Sequence, residues 1–252
     1  MNRYVLLFAS ALLTVSCQAA EQSAAPALKQ APAAQTLAAR PGKVAVASAH
    51  QIATDAGLEV MAKGGNAFDA AIAVGSMLAV VEPQSSGLGG GGFFLLHSAA
   101  SGKNVFVDAR ERAPAESRSE LWADAEGKLD KNKAINGPLS AGIPGEPAAY
   151  VWLAEHYGKL PLSASLAPAI RVAREGFPVY PRFQKSIERR KPVLTRWPAS
   201  QQLYLQDGNA PALQAIWKNP EIADTLELIA AKGNDGFYKG ELAASMVKAV
   251  RD

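Results

Sequence analysis

The hydrophobic positions in the first part of the folded region change from a strand pattern to two helical patterns. KVAVASAH, residues 43–50, predicts a short strand. The apolar residues of IATDAGLEVMAKGGN, residues 52–66, recur at helical spacing, and Gly64-Gly65-Asn66 predicts the end of that helix. A second helix over residues 67–81 is almost entirely small and apolar, which predicts burial on most of its sides.

The pattern then predicts one β-hairpin followed by a mainly helical, surface-forming region. GFFLLHS and NVFVDAR are apolar segments joined by a loop that contains Gly102, as in a hairpin. Beyond Pro114, helix starts are predicted within residues 163–165 and at Asn219-Pro220-Glu221. The helical segments are GEPAAYVWLAEHYG, SLAPAIRVAREGF, YPRFQKSIERR, NPEIADTLELIAAKG and GELAASMVKAVRD.

The glycine run between the second helix and the hairpin contains the spacing G-x-G-x-x-G in residues 87–92. A dinucleotide-binding loop runs from a strand into a helix, so that the helix amino terminus faces the pyrophosphate. Here the order is helix, glycine loop, strand, and the lysine of a phosphate-binding P-loop is missing. We interpret the run as a structural loop whose lack of side chains lets other backbones or a substrate approach closely.

Composition and the polar residues exclude several classes of function. The chain has 252 residues, 48% of them hydrophobic, and a net charge of +3, which gives no argument for binding nucleic acid or an anionic membrane. His50, His97 and His156 lack the spacing of metal ligands, and Ser85 and Ser86 lack the preceding glycine of a nucleophile elbow. We therefore expect no metal and no organic cofactor.

The amino terminus has the pattern of an export signal. Residues 1–17 carry a positive start and a short apolar segment that ends at Cys17, which resembles a bacterial lipoprotein signal with Cys17 as the lipidated residue. Thr14 stands where such signals usually carry Leu, and cleavage after Ala19 or Ala20 is the alternative. Residues 18–41, rich in Ala, Pro and Gln, are predicted to form a disordered tether. A periplasmic or outer-membrane-anchored location follows.

The most pointed polar segment is VDARERAP, residues 107–114. Arg110 is placed at the carboxyl end of the second hairpin strand, and its planar guanidinium matches a carboxylate bidentately. A local ion pair with Asp108 or Glu111 would explain the same arginine without any ligand. Arg112 lies on the same face if the strand continues, and it is the competing candidate.

Several segments resemble, in this order and spacing, the amino-terminal part of bacterial γ-glutamyltransferases (glutathione hydrolases). The likeness runs from about Val44 to the end of the chain and includes REGFPV and DGFYKGELA. Its most specific part is VEPQSSGLGGGGF followed by an R-E-x-A-P segment. The remaining segments are ASAHQIATDAGLEVMAKGGNAFDAAIAV and SAGIPGEPAAY.

The resemblance implies an α+β fold that is part of a four-layer αββα N-terminal-nucleophile hydrolase sandwich, incomplete in this chain. Residues 42–252 would be a partial large-subunit domain. The precursor would cut itself into a large and a small subunit, whose amino-terminal threonine attacks the γ-glutamyl amide of glutathione and related compounds. Water, an amino acid or a peptide would then resolve the γ-glutamyl-enzyme. By the same resemblance, Arg110 binds the α-carboxylate of the γ-glutamyl group.

The chain departs from the family in its threonines, none of which lies in a Thr-Thr-His-like processing context. They are Thr14, Thr36, Thr54, Thr195 and Thr225. The nucleophile is therefore expected beyond Asp252, and this chain alone is predicted to be inactive, with no catalytic residue of its own. Two alternatives stay open: a related acylase, such as a cephalosporin acylase or a poly-γ-glutamate processing enzyme, and a truncated, non-catalytic secreted lipoprotein that binds γ-glutamyl compounds.

Overall fold

The protein folds into a group of packed helices with a β-hairpin beside it. A computed structural model describes residues 43–251 of the chain. Its helices are α1 (Gln51–Ala62), α2 (Ala67–Val81), α3 (Lys131–Asn136), α4 (Glu146–Tyr157), α5 (Leu162–Glu175), α6 (Pro181–Leu194), α7 (Pro198–Tyr204), α8 (Pro220–Lys232), α9 (Asn234–Tyr238) and α10 (Gly240–Arg251). Its strands are β1 (Gly92–Ser98), β2 (Lys103–Ala109), β3 (Phe177–Pro178) and β4 (Ile216–Trp217). This mixture of helices and separate antiparallel strands confirms the predicted α+β class.

The first two helices form where the sequence predicts them, because both have strong end signals. The Nδ1 atom of His50 accepts the N–H of Ile52 at 3.2 Å and begins α1. Gly64, at φ +95°, follows the end of that helix in a conformation that favours glycine. Asn66 and Asp69 then form a capping box at the start of α2, with an Asn66 N–H to Asp69 Oδ2 distance of 2.8 Å.

Helix α2 lies at the centre of the core and packs against α1, α4 and α5. Ile72 and Met77 on α2 are buried, as are Leu166 on α5 and Leu226 and Ile229 on α8. The prediction that the helices beyond Pro114 form mainly surface is therefore wrong for α4, α5 and α8. An apolar helix such as α2 must be covered on several sides; α4 and α5 supply part of that cover, and α8 packs against α5.

The predicted hairpin is confirmed. In β1 and β2, Gly92 lies opposite Ala109 and Ser98 lies opposite Lys103, and Gly102 in the turn has a φ of +65°. Leu96 faces the helices and is buried. The opposite face carries Phe93, Leu95 and Phe106, which are exposed, with the two phenylalanine rings stacked at a centroid distance of 5.4 Å.

Other local predictions need correction. The strand predicted over residues 43–50 is wrong: these residues form no strand, because a strand needs a hydrogen-bonded neighbour and none pairs with them within residues 43–251. Helix α5 begins at Leu162, ahead of the predicted start, and contains Pro168. The periodicity also misses the short helices α3, α7 and α9, whose few residues carry little repeat. None of the helices within residues 43–251 is long and apolar enough to cross a membrane.

Candidate functional site

The glycine run connects α2 to β1, which confirms the predicted order of helix, loop and strand. A Cβ atom on Gly91 or on Gly145 would collide with the carbonyl oxygen of Ala109. The Gly90 carbonyl accepts the N–H groups of Gly145 at 2.9 Å and of Glu146 at 3.1 Å, which fastens the loop to the start of α4. Close backbone approach at the junction of the loop, β2 and α4 therefore requires glycine at Gly91 and at Gly145.

Arg110 is the first residue after β2, so the hairpin delivers it to this junction. Its Nε donates to Glu111 Oε2 at 2.8 Å, and its Cζ lies 5.7 Å from the centre of the Phe93 ring. Asp108 instead accepts the backbone N–H of Arg110 at 3.0 Å. Among residues 43–251, no group accepts a hydrogen bond from either Nη atom of Arg110, and the side chain is 57% exposed. The local ion pair with Glu111 therefore exists, yet it leaves the outer edge of the guanidinium open to an anion.

Glu111 lies between two glycines. A Cβ on Gly142 would lie 2.9 Å from the Cβ of Glu111 and would crowd it, whereas a Cβ on Gly90 would lie 3.5 Å from its Oε1, an ordinary contact distance. Hydrogen bonds from its own backbone N–H and from the Arg110 side chain lower the pKa of Glu111, against a smaller opposing effect of burial. An ionised Glu111 can orient Arg110 through this hydrogen bond.

Arg112, the competing candidate, has a different environment. The strand stops at Ala109, and Arg112 instead forms an isolated bridge in which its N–H donates to the Ile143 carbonyl at 3.0 Å. The Ile143 N–H donates back to the Arg112 carbonyl at 2.7 Å. The backbone of Arg112 is thus structural, and its side chain does not line the cleft described next.

A cleft of about 440 Å³ lies along the glycine loop beside Arg110. Glu111 and Glu146 contribute its two carboxylates. The rest of its wall is formed by Pro83, Gln84, Ser85, Ser86, Gly87, Gly89, Gly90 and Gly91. Arg110 does not itself line the cleft; it is joined to the cleft wall through Glu111, which accepts the hydrogen bond from its Nε. The wall combines two carboxylates, other polar side chains and the backbone of four glycines, which suits a small polar ligand.

Glu146 and Tyr150 are site residues that the sequence analysis does not identify. The hydroxyl of Tyr150, which is fully buried, donates to Glu146 Oε1 one turn earlier on α4. Burial raises the pKa of Glu146, the charge of Glu111 raises it further, and the bond from Tyr150 opposes both. A Cβ on Gly75 would lie 2.6 Å from the Tyr150 hydroxyl oxygen, so α2 needs a glycine here. The i, i+4 spacing is visible in the sequence, but the contact with Gly75 is not.

The remaining predicted site residues have ordinary structural environments or lie outside the described range. His50 caps α1, the Nδ1 of His97 lies 2.8 Å from Asn104 Oδ1 across the hairpin, and the Nδ1 of His156 lies 2.9 Å from the Trp152 carbonyl oxygen. Within residues 43–251, His, Cys, Asp and Glu side chains form no group of three that could hold a metal ion. Cys17, the predicted lipidation site, lies outside the described residues, as do the predicted signal peptide and tether.

Comparison with known proteins shows which family this chain is similar to. The sequence profile described as gamma-glutamyltranspeptidase matches residues 53–252. The chain is 35% identical over 207 residues to a glutathione hydrolase proenzyme of Escherichia coli, covering 82% of this chain and 36% of that protein. It thus spans about a third of the length of that curated relative.

Solved structures of related proteins support the same family relationship. The crystal structure of the Helicobacter pylori gamma-glutamyltranspeptidase matches with a TM-score of 0.80 and 31% identity, over 83% of this chain and 60% of that one. A cephalosporin acylase from Bacillus halodurans matches with a TM-score of 0.69 and 33% identity, over 88% of this chain and 43% of that one. These matches confirm the predicted fold relationship and its partial coverage. The profile match, the curated relative and the solved structures together show that the chain belongs to the gamma-glutamyltranspeptidase family.

Proposed function

We propose that this chain is the amino-terminal part of a γ-glutamyltransferase that cleaves the γ-glutamyl amide of glutathione and related compounds. The γ-glutamyl group then passes to water, an amino acid or a peptide. Family membership supports the class of reaction, and the geometry of Arg110 is the single observation that carries the assignment of a substrate contact to this chain.

Arg110 is suited to the α-carboxylate of the γ-glutamyl group for two reasons. Its Nε is occupied by Glu111 at 2.8 Å, which leaves the two Nη atoms as a pair of parallel donors. Its side chain is also 57% exposed and is bound to Glu111, a residue of the cleft wall, so a ligand can reach it. Glu111 acts as a positioning residue, because its lowered pKa keeps it ionised and attached to the guanidinium.

The nucleophile is proposed to lie outside this chain. The described threonines have structural hydrogen bonds: Thr195 donates to the Lys191 carbonyl and Thr225 to the Glu221 carbonyl, each at 3.0 Å. Thr54 shares a 2.9 Å hydrogen bond with Ser48 at the start of α1. None of the three lines the cleft beside Arg110. A threonine at the amino terminus of a small subunit, cut from the same precursor, would supply the attacking hydroxyl.

The test of Arg110 uses the complete protein and a γ-glutamyl anilide. Arg110→Gln is expected to lower kcat/KM by roughly 100-fold, because a bidentate charge-assisted contact is worth about 3 kcal/mol. Arg112→Gln is the matched control and should retain most of the activity. Residues 18–252 alone should show no turnover. Wild-type activity in Arg110→Gln, or turnover by residues 18–252 alone, would contradict the proposal.

A related acylase is the second candidate, supported by the structural likeness to the Bacillus halodurans cephalosporin acylase. The two activities differ in the amide that is cleaved: a γ-glutamyl amide in one case and the side-chain amide of a β-lactam in the other. Rates of the complete protein on glutathione and on a β-lactam side-chain amide separate them. Faster turnover of the β-lactam amide, unaffected by Arg110→Gln, would favour the acylase.

We also propose that the protein is exported and stays in the periplasm or on the outer membrane. The support is the amino-terminal signal pattern and its Cys17. Intact mass spectrometry of protein purified from its source cells tests this proposal. A lipid-modified Cys17 as first residue supports anchoring, and an unmodified residue 20 or 21 supports a free periplasmic protein. Retention of residues 1–17 would contradict export.

A further inference from the structure

Helix α6, the residues after it and the neighbouring helix α3 form a strongly basic part of the surface. Arg190 on α6 donates to Asn136 Oδ1 on α3 at 2.7 Å. Arg196, after the end of α6, donates to Asn132 Oδ1 at 3.0 Å. These two contacts join the segments, so that their cations lie on adjoining surface. The basic face is defined by its exposed cations, Lys131, Lys133, Lys185, Arg189, Arg190 and Arg196.

The basic face carries more positive charge than the chain as a whole. Residues 130–136 and 181–197 contain eight Lys and Arg residues and only two acidic residues, Asp130 and Glu188. Their net charge of +6 exceeds the +3 of the whole chain, so the remaining residues are net negative. The small net charge of the chain therefore conceals a separation of charge, and an approaching partner meets the local potential.

Carboxylates do not neutralise this face. Within residues 43–251, none of its six cations forms an ion pair with Asp or Glu. Arg190 and Arg196 bond instead to side-chain amides, which carry no charge, and Lys133 Nζ donates to the Ala123 carbonyl at 2.9 Å. Asp130 is used as the cap of α3. The positive potential of the face is therefore open to an anionic partner.

Large apolar side chains are exposed beside these cations. Trp197 follows Arg196 directly and is 42% exposed. Ile135 on α3 and Leu139 in the turn after it are 61% and 44% exposed. A soluble polyanion needs only the cations, whereas the interface of a lipid bilayer also takes up tryptophan and aliphatic side chains. Cations and apolar side chains together favour a lipid surface as the partner.

We propose that the basic face binds a membrane surface that contains anionic phospholipids. The cations contact the headgroups, and Trp197 enters the interface between headgroups and acyl chains. The proposed export and lipid attachment at Cys17 would bring the domain to such a surface, because a flexible tether of 24 residues spans roughly 25–30 Å. The face is a separate contact from that anchor, and it goes beyond the proposed enzymatic function, which assigns none of its six cations a role.

The test measures binding of the complete protein to phosphatidylcholine vesicles with and without phosphatidylglycerol. The protein is produced from Gln18 onwards and therefore carries no lipid of its own. A triple variant, Lys131→Gln with Lys185→Gln and Arg189→Gln, is expected to bind the anionic vesicles roughly 100-fold more weakly, because each cation near such a surface contributes about a 5-fold factor. The three side chains are exposed, so the variant should keep its fold.

A matched control removes the same charge from exposed positions on other elements. It is Lys103→Gln with Lys159→Gln and Lys232→Gln, and it should bind anionic vesicles as the wild-type protein does. Binding of both should weaken as salt is added. Tryptophan emission of the wild-type protein should shift to shorter wavelength on anionic vesicles, and Trp197→Phe should remove most of that shift.

Three results would overturn the inference. The first is equal binding of the triple variant and the control, and the second is equal binding to vesicles with and without phosphatidylglycerol. The third is tight binding to heparin without binding to anionic vesicles, which would assign the basic face to a soluble polyanion. Selective loss of vesicle binding in the triple variant, together with loss of the emission shift in Trp197→Phe, supports the inference.

Discussion

The helical layer and the hairpin differ in how completely their apolar surfaces are covered. In the helical layer, Ile72 of α2 and Leu166 of α5 have no exposed surface. In the hairpin, one face packs on the helices, while Phe93, Leu95 and Phe106 on the other are 58%, 77% and 62% exposed. The same chain thus contains one layer that is closed by its own residues and one that is closed on a single side.

That difference shows which layer has an apolar face left to be covered by residues outside this chain. A sheet with apolar residues on both faces is typical of one covered on both sides. The chain spans 36% of its Escherichia coli relative, and in a protein of that length we expect a second layer to cover Phe93, Leu95 and Phe106. Arg110 lies where the hairpin meets the helical layer, so its surroundings depend on both.

The largest effect is expected from replacing a leucine by alanine, once in the helical layer and once in the hairpin. Leu166→Ala should lower the free energy of unfolding by about 2–5 kcal/mol, because it opens a cavity in the helical core. Leu95→Ala should change it by less than about 0.5 kcal/mol in residues 43–252 alone, because that side chain is exposed. Urea unfolding measures both. In the complete protein, Leu95→Ala should lower the free energy of unfolding by clearly more than it does in residues 43–252 alone. An equally small effect there would show that nothing covers this face.

The next effect concerns the junction between the layers. Gly91→Ala should destabilise the protein by about 1–3 kcal/mol, because the new Cβ would meet the Ala109 carbonyl and the Arg110 backbone. Gly92→Ala is the matched control, since no atom lies within 4 Å of the Cβ it would add. Thermal melting compares the two variants. Equal melting temperatures would refute the role assigned to the close approach at Gly91.

A smaller effect is expected where the buried helix α4 reaches the cleft. Tyr150→Phe removes the donor to Glu146 and should cost about 1–2 kcal/mol. Tyr157→Phe is the control on the same helix, because no hydrogen bond to that hydroxyl is found among residues 43–251.

The pH dependence sharpens this prediction. The raised pKa of Glu146 means that the folded state binds its proton more tightly than the unfolded state, so stability falls as pH rises above about 4.5. Without Tyr150 the pKa should rise further, which extends that fall to higher pH. Unfolding curves between pH 4 and pH 8 test the shift. A profile parallel to that of the wild type would argue against coupling between the two residues.

The smallest effect is expected on the outer surface of the helical layer. Hydrogen bonds from Arg171 and Lys63 lower the pKa of Glu59 to about 2. The ion pair between α1 and α5 therefore stabilises the fold above pH 4.5, and this contribution is lost as pH falls toward 2. Because the pair is partly exposed, Arg171→Gln should cost less than about 1 kcal/mol at pH 7. At pH 2, where roughly half of the Glu59 carboxyl is protonated, the cost should be much smaller. In a Glu59→Gln background the same substitution should have no effect, and a remaining cost would assign Arg171 another role.

The sequence by itself determined the elements that carry strong local signals. The carboxyl end of α1 follows from Gly64, and the start of α2 follows from the Asn66–Asp69 capping box. Both signals act within a few residues. The hairpin follows from its two apolar segments and Gly102, and the placement of Arg110 after β2 follows from the hairpin. The order of helix, glycine loop and strand, which is already present in the sequence, likewise excludes a dinucleotide-binding loop.

Only the tertiary structure decided which side chains meet across long stretches of chain. Glu111 lies between Gly90 and Gly142, and Tyr150 lies over Gly75, because separate segments are packed together there. The ion pair of Arg182 with Glu82 joins residues 100 positions apart and ties α6 to the loop after α2. Periodicity reports which face of an element is apolar, but not which element covers it. For the same reason it predicted a strand over residues 43–50, where no partner strand is present in the described range.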